Sequence, residues 1–312
     1  MSTVVDNRPA LVVVCGPTAV GKTALALNLA ERFHAEILSA DSRQVYRLMD
    51  IGTAKPTGAE LQHIRHHLID VAWPDEVFHA ARFVSLAEQV INESCQRNKR
   101  VFLVGGTGLY IRALTEGLLQ APSANPQLRL HLHARAEAEG SHSLHEDLAR
   151  VDPDSAARLH PNDLIRIVRA LEVYEHSGST LSSLQDEHGF SSQPYRTLKI
   201  CPDLARDELY RRIDQRAEIM FAQGLLEEAE ALIRAGYDPA SKALKTIGYR
   251  QAFAVLSKEM SRNEAIEDLK QSTRRYAKQQ LTWFRKDKSI IWLESSDDFD
   301  TIHKLIEKFY DI

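Results

Sequence analysis

Gly16-Pro-Thr-Ala-Val-Gly-Lys-Thr23 has the spacing of a loop that wraps a di- or triphosphate. Successive backbone N–H groups in such a loop curl around phosphate oxygens, and a helix starting behind it adds the positive end of its dipole. Lys22 can reach the outer phosphates, and Thr23 can ligate Mg²⁺. Gly16 and Gly21 permit backbone geometry that a Cβ would forbid. The loop says that a phosphate is held, not what becomes of it.

Other residues could act on that phosphate. Asp41, in Ser39-Ala-Asp-Ser-Arg-Gln44, closes a strand-like run. It could contact a metal through water or serve as a general base, or simply cap a following helix. Thr107, in Gly105-Gly-Thr-Gly108, presents one hydroxyl where the backbone can approach a ligand closely, and could hydrogen-bond a leaving-group oxygen. Nucleotide hydrolases with this loop usually offer Mg²⁺ a carboxylate at another strand end. The run Val101 to Val104 ends in glycines and supplies none, which weighs against an ordinary NTPase.

Arg212 and Arg216 lie one turn apart beside an apolar stripe of Leu209, Ile213 and Met220. They could reach over a phosphate or serve as surface ion-pair partners. Arg166 and Arg169 are also one turn apart, and Arg129 sits at another helix start, a pattern suited to a polyanion. His63, His66 and His67 lack the accompanying carboxylates or cysteines of a metal site and are read as structural or surface groups. Cys15, Cys95 and Cys201 form no C-x-x-C pair and read as small hydrophobes or inert thiols.

The elements that must position these residues follow from the hydrophobic pattern. Strand-length apolar runs at Val12–Cys15, Glu36–Asp41, His67–Ala72 and Val101–Thr107 alternate with amphipathic segments such as Ala80–Arg97. That alternation predicts an α/β fold, a P-loop NTPase-like parallel sheet flanked by helices. Ligands of such sheets bind at the carboxyl ends of the strands, which places Asp41 and Thr107 near the phosphate loop. From about 121 to 195 the alternation gives way to an all-helical insertion. It opens at the turn Ala121-Pro-Ser-Ala-Asn-Pro126, with Asn125 and Asn162 as helix starts and His176-Ser-Gly-Ser-Thr180 closing a helix. Strands return at Thr197–Cys201 and Ser289–Leu293, separated by helices at Asp207–Gln223, Leu225–Ala235 and Arg262–Phe284. The expected organisation is therefore core 1–120, insertion 121–195 and core 196–312.

With 44% hydrophobic residues in 312 and a formal charge of −4, the composition is that of a soluble enzyme. The N-terminal residues have no basic n-region or long apolar stretch, so a cytoplasmic location is expected. The modest net charge hides a basic stretch, Lys270, Arg274, Arg275, Lys278, Arg285, Lys286 and Lys288 against Asp287, interleaved with Tyr276, Trp283 and Phe284. It suits either a phosphate backbone or a solvated helix face. Glu294 to Asp300 reads as an acidic surface loop.

Taken together, several motifs resemble, in order, those of the bacterial tRNA dimethylallyltransferases. They are Gly16 to Thr23, Asp41-Ser-Arg-Gln-Val-Tyr46, Asp50-Ile-Gly-Thr-Ala-Lys-Pro56, Leu103-Val-Gly-Gly-Thr-Gly-Leu-Tyr110, His160-Pro-Asn-Asp163 with Arg166 and Arg169-Ala-Leu-Glu172, and Ile247-Gly-Tyr-Arg250. The resemblance covers nearly the whole chain. It implies transfer of a dimethylallyl group from dimethylallyl diphosphate to N6 of the adenosine 3′ of the anticodon, in tRNAs reading codons that start with U. The donor's diphosphate, not ATP, would then occupy Gly16, Pro17, Thr18, Ala19, Val20, Gly21, Lys22 and Thr23. It further implies Asp41, Thr107 and Arg216 as the catalytic set, and Mg²⁺ held by Thr23, with Asp41 through water.

The family correspondence assigns contacts with the tRNA anticodon stem-loop to Asp41, Ser42, Arg43, Gln44, Thr107, Arg129, Ile165, Arg166, Ile167, Val168, Arg169, Lys245, Thr246, Ile247, Gly248, Tyr249 and Arg250. The target adenine is expected to leave its stack to reach the site. Arg43-Gln44 departs from the small or apolar residues of some members. No zinc, membrane or obligate protein partner is expected, and the chain is expected to be a monomer. A small-molecule or nucleoside kinase and a nucleotide-dependent RNA-binding switch are the alternatives.

Overall fold

The computed structural model describes residues 6, 8–119, 122, 125–189, 192–294 and 299–311. Six strands, β1 (Ala10–Cys15), β2 (Ala35–Ser39), β3 (His66–His67), β4 (Arg100–Gly105), β5 (Arg196–Pro202) and β6 (Ile290–Leu293), form one parallel sheet in the order β3-β2-β4-β1-β5-β6. The central strand β1 pairs Val12 with Phe102 of β4 and with Leu198 of β5.

Side chains alternate across the sheet, and both faces are covered. Leu11, Val13, Cys15, Leu38 and Leu103 enter the core on one face, while Val12, Val14, Ile37 and Phe102 enter the core on the other. This is why β1 reads as an unbroken apolar run rather than an alternating one. Truncating Phe102 to alanine in such a core costs about 3–5 kcal/mol.

The chain divides into two compact units, one of Met1–Thr115 with Pro194–Ile312 and one of Glu116–Gln193. The sheet belongs to the first. The second is helical among its described residues, with Pro126–Glu139, Ser141–Val151, Pro153–Arg158, Leu164–Ser177 and Leu181–His188. Leu132, Leu144, Leu148, Ile167, Val168 and Leu171 make its core. Asn125 caps its first helix by accepting from the amides of Gln127 and Leu128, and Gly178, at φ 72°, ends the Leu164–Ser177 helix.

Several boundaries differ from those expected. The strand predicted over His67–Ala72 is only His66–His67, because Leu68 and Asp70 adopt left-handed φ of 60° and 57° and turn the chain away. Ala72 instead bridges Tyr46. Asn162 does not start a helix. Its amide donates to His160 Nδ1, and Asp163 occupies the cap position. β2 and β4 stop two residues short of Asp41 and Thr107, which therefore stand on the loops beyond the strand ends. Ala121, Ser123 and Ala124 of the predicted turn, and residues 295–298 of the predicted acidic loop, lie outside the described residues; the helix Phe299–Tyr310 follows the latter.

Candidate active site

β1 runs into the phosphate loop, and the helix Lys22–Arg32 leaves it. Gly16 has φ 136° and Gly21 φ 100°, and a Cβ on Gly16 would stand 2.7 Å from Cys201 Sγ, so the loop needs glycine there on both counts. The Lys22 ammonium donates to the Pro17 carbonyl at 2.6 Å. Burial pushes its pKa down to about 8, against the opposing pull of Asp41, and the Arg216 charge adds to the fall.

Arg216 comes from the helix Arg206–Ala222 and donates to Thr18 Oγ1 at 3.4 Å. Burial lowers the pKa of its guanidinium too, with Asp41 acting in the other direction. Thr23 is exposed, and its hydroxyl has no hydrogen-bond partner among the described residues. Lys22, Thr23, Asp41 and Arg216 line one cavity of about 720 Å³ within the first unit.

The loops after β2 and β4 form its other wall. Asp41 Oδ1 accepts from the amides of Arg43 (2.8 Å) and Gln44 (3.4 Å), so the carboxylate caps a turn rather than a helix. Its other oxygen is uncommitted among the described residues. Thr107 Oγ1 accepts from the Ser42 amide at 3.0 Å, while the Thr107 amide donates to the Ala40 carbonyl at 3.1 Å. Because the hydroxyl is an acceptor there, its hydrogen is available to donate. Gly105 and Gly106 reach the cavity, but Thr107 is not among its lining residues. A Cβ on Gly105 would lie 2.1 Å from the Ala40 carbonyl oxygen, and this fixes glycine at that position.

The Asp50-Ile-Gly-Thr-Ala-Lys-Pro56 segment forms a braced loop on the same wall. Glu228 accepts from the amides of Asp50, Ile51 and Gly52, and also from the Tyr249 hydroxyl. Lys55 reaches Asp50, Asp70 and the Tyr46 carbonyl, each at 2.6 Å. Gln44 Nε2 donates to the Ala54 carbonyl at 3.1 Å, joining this loop to the one that carries Asp41. Sequence reasoning missed Glu228 and Gln280 altogether. Their partners lie far along the chain, where no local pattern points to them.

The residues expected to touch RNA fall into distinct groups. In the first unit Lys245, Thr246 and Ile247 line the cavity, Lys245 at an exposed position, and Arg250 is exposed while bonded to Asp268 and Ser272. Gly248 and Tyr249 are buried, the latter completely. In the second unit Ile165 is 80% exposed and Arg166 pairs with Asp163, but Ile167 and Val168 are core. The side chains of Ile167, Val168 and Tyr249 face the interior, beside the more open Arg166, Arg169 and Arg250. Arg129 and Arg169 both bind the fully buried Glu172 carboxylate, at 2.9 and 2.7 Å.

The basic stretch divides. Lys270 pairs with Glu218 and Glu267, and Arg274 with Asp214, so these charges are spent within the fold. Tyr276 lines the cavity, and burial pushes its hydroxyl up to about 12. His67 joins a buried cluster with Glu36, Arg97 and Ser94, while His63 faces Glu31. Among the described residues no cluster of His, Cys, Asp and Glu could hold a metal by itself, and no helix is long and apolar enough to cross a membrane.

A glycine-rich phosphate loop, a half-buried lysine and arginine, and a carboxylate on an adjoining strand-end loop could serve either phosphoryl or alkyl transfer. The model of the IPP transferase family matches residues 44–287. The chain belongs to the IPP transferase family. It is similar to the tRNA dimethylallyltransferase of Geobacter metallireducens, 51% identical over 98% of this chain and 99% of that one. The Geobacter sulfurreducens enzyme of the same name is 49% identical over 97% and 98%.

Among solved structures, the full-length tRNA isopentenylpyrophosphate transferase of Bacillus halodurans superposes with a TM-score of 0.71 at 38% identity, covering 97% of this chain and 96% of that one. A eukaryotic dimethylallyltransferase acting on tRNA superposes at 0.82 with 26% identity, over 97% of this chain and 79% of that one.

Proposed function

We propose that the chain transfers a dimethylallyl group from dimethylallyl diphosphate to the exocyclic amine of the adenosine 3′ of the anticodon in tRNA. The observation that carries this reading is that Lys22 and Arg216 share one cavity with the phosphate loop, with Asp41 on the wall formed by the strand-end loops.

In the transfer the adenine N6 lone pair attacks the allylic carbon, the carbon–oxygen bond to the diphosphate breaks, and its electron pair leaves on the diphosphate. The loop amides, Lys22 and Arg216 hold that growing charge in a buried setting. Thr107 donates its free hydroxyl hydrogen toward the leaving oxygen. Asp41 orients the amine and takes its proton. An adenine amine is a weak nucleophile, so holding base and donor in register supplies a large part of the rate.

Thr23 and the uncommitted oxygen of Asp41 are hard oxygen donors of the kind Mg²⁺ accepts, and the unpartnered Thr23 hydroxyl fits such a role. Mg²⁺ would be held by Thr23, with Asp41 through water, and when bound it neutralises diphosphate charge. We assign tRNA contacts to Ser42, Arg43, Gln44, Lys245, Thr246, Ile247 and Arg250 in the first unit. In the second unit we assign them to Arg129, Ile165, Arg166 and Arg169. A monomer working in the cytoplasm completes this reading.

Protein, Mg²⁺, labelled dimethylallyl diphosphate and unmodified tRNA should yield N6-dimethylallyladenosine by nucleoside mass spectrometry. Folded protein that yields none overturns the proposal.

A further inference from the structure

The helix Arg262–Phe284 lays Leu269, Thr273, Tyr276 and Gln280 along the cavity, a stripe at helical spacing. Gln280 differs from the rest in what it touches. The residue is 7% exposed and its carboxamide is bonded at both ends: Oε1 accepts from the Thr18 amide of the phosphate loop at 2.9 Å, and Nε2 donates to the Gly106 carbonyl at 2.9 Å. Among the described residues it is the only side chain hydrogen-bonded to both loops.

The fit is close on the glycine side. A Cβ on Gly106 would stand 2.5 Å from Gln280 Nε2 and 3.3 Å from the Gly16 carbonyl oxygen, so Gly106 is glycine to admit this amide. The other joints are already made by backbone and by Thr107. The Thr107 amide binds the Ala40 carbonyl, and its hydroxyl binds the Ser42 amide. The loops carrying Asp41 and Thr107 are thus tied to each other, and Gln280 ties the pair to the loop that holds Lys22.

We propose that Gln280 is a positioning residue for group transfer, setting the distance between the diphosphate cradle and the Thr107–Asp41 side of the site. This rests on the transfer reading above. A carboxamide suits the role because it donates at one end and accepts at the other while carrying no charge. A carboxylate would face the Gly106 carbonyl with no hydrogen to give, and would add negative charge beside the diphosphate.

Gln280→Leu keeps most of the volume and removes both hydrogen bonds. With geometry relaxed by a fraction of an ångström to about 1 Å, kcat should fall on the order of 100-fold. The donor KM should rise and the thermal midpoint should fall by several degrees while the variant still folds, and tRNA affinity should stay near that of the unaltered protein. Gln280→Glu supplies a test that survives a folding defect in the leucine variant. Its carboxyl, once protonated, can again donate to Gly106, and burial brings that protonation toward neutral pH. Its kcat relative to the unaltered protein should therefore climb as pH is lowered from about 8 to about 6. A folded Gln280→Leu with unchanged kcat and donor KM, or a Gln280→Glu as active as the unaltered protein across that range, overturns the inference. Failure of the unaltered protein to make any prenylated adenosine overturns the transfer reading instead.

Discussion

The Tyr249 hydroxyl donates to Glu228 Oε1 at 2.5 Å, closing a carboxylate that already accepts three consecutive amides, those of Asp50, Ile51 and Gly52. The loop is pinned from two directions, since a Cβ on Gly52 would stand 2.5 Å from the Tyr249 ring. Tyr249→Phe removes one hydrogen bond to a charged group and should cost about 1.5–3 kcal/mol. Glu228→Ala strands all four donors and should cost more. Urea unfolding of the two variants should show that order; equal losses would mean that the amides find other partners.

Asp41 holds two backbone amides with one oxygen, and its other oxygen is uncommitted among the described residues; the proposed transfer makes this carboxylate the base. Asp41→Asn preserves the size of the side chain and can keep the turn, but it cannot take a proton. Its kcat should fall by about 10²–10⁴, with tRNA affinity largely retained. Single-turnover kinetics beside a filter-binding titration separate the two effects. An unchanged rate would remove Asp41 from the base role.

Lys22, pushed down to about 8 by burial, is charged below that pH and neutral above it. In the proposed transfer, diphosphate binding draws on the charged form. Donor affinity should therefore be level on the acid side of about pH 8 and weaken by up to tenfold per pH unit beyond it. Lys22→Met should bind weakly with no bend near pH 8. Calorimetric titrations with dimethylallyl diphosphate across this range measure both, and a bend surviving in the methionine variant would assign the titration to another group.

Much of this site was legible in the chain. The phosphate loop, Asp41 and Thr107 announce themselves because each follows an apolar run, and the alternation of runs and amphipathic segments specifies a parallel sheet. What escaped is side-chain bracing over long separations. Glu228 meets its loop from 176 to 178 positions away, and Gln280 meets Thr18 from 262, and no periodicity encodes such meetings. Burial within a helix was also hidden. Ile165 and Arg166 lie on the exposed side of their helix and Ile167 and Val168 on the core side, yet a contiguous motif gives no means of telling the sides apart.

Glu36 sits 6% exposed on β2 with Arg97, His67 and Ser94 around it. The Arg97 guanidinium, opposed by burial and helped by His67 and Ser94, holds its carboxyl down at about 2 against an ordinary 4.5. The folded state thus binds this proton less readily than the unfolded chain. The stabilisation, on the order of 3 kcal/mol, is complete above about pH 4.5 and is lost as pH falls toward 2. Glu36→Gln should be less stable at neutral pH and show a flatter acid limb when stability is followed from pH 7 to about pH 3. An acid limb as steep as before would place the linkage elsewhere.

Glu172 is fully buried and binds Arg129 through two nitrogens, Arg169 through one, and the Asn125 amide as well. Burial would raise its pKa, but these donors outweigh burial and keep it below the ordinary range. Under the proposed tRNA contacts, this carboxylate aims the pair of arginines before RNA is bound. Glu172→Gln leaves both positive charges in place and loses the anchor that orients them. Arg129→Ala removes a charge. The salt dependence of tRNA binding counts phosphates neutralised, so Arg129→Ala should lower both affinity and the log–log salt slope, the latter by about 1. Glu172→Gln should lower affinity while leaving the slope near that of the unaltered protein. Both should keep the donor KM. A Glu172→Gln protein that remains folded and binds tRNA as tightly as before, at every salt concentration, would show that the arginines need no aiming.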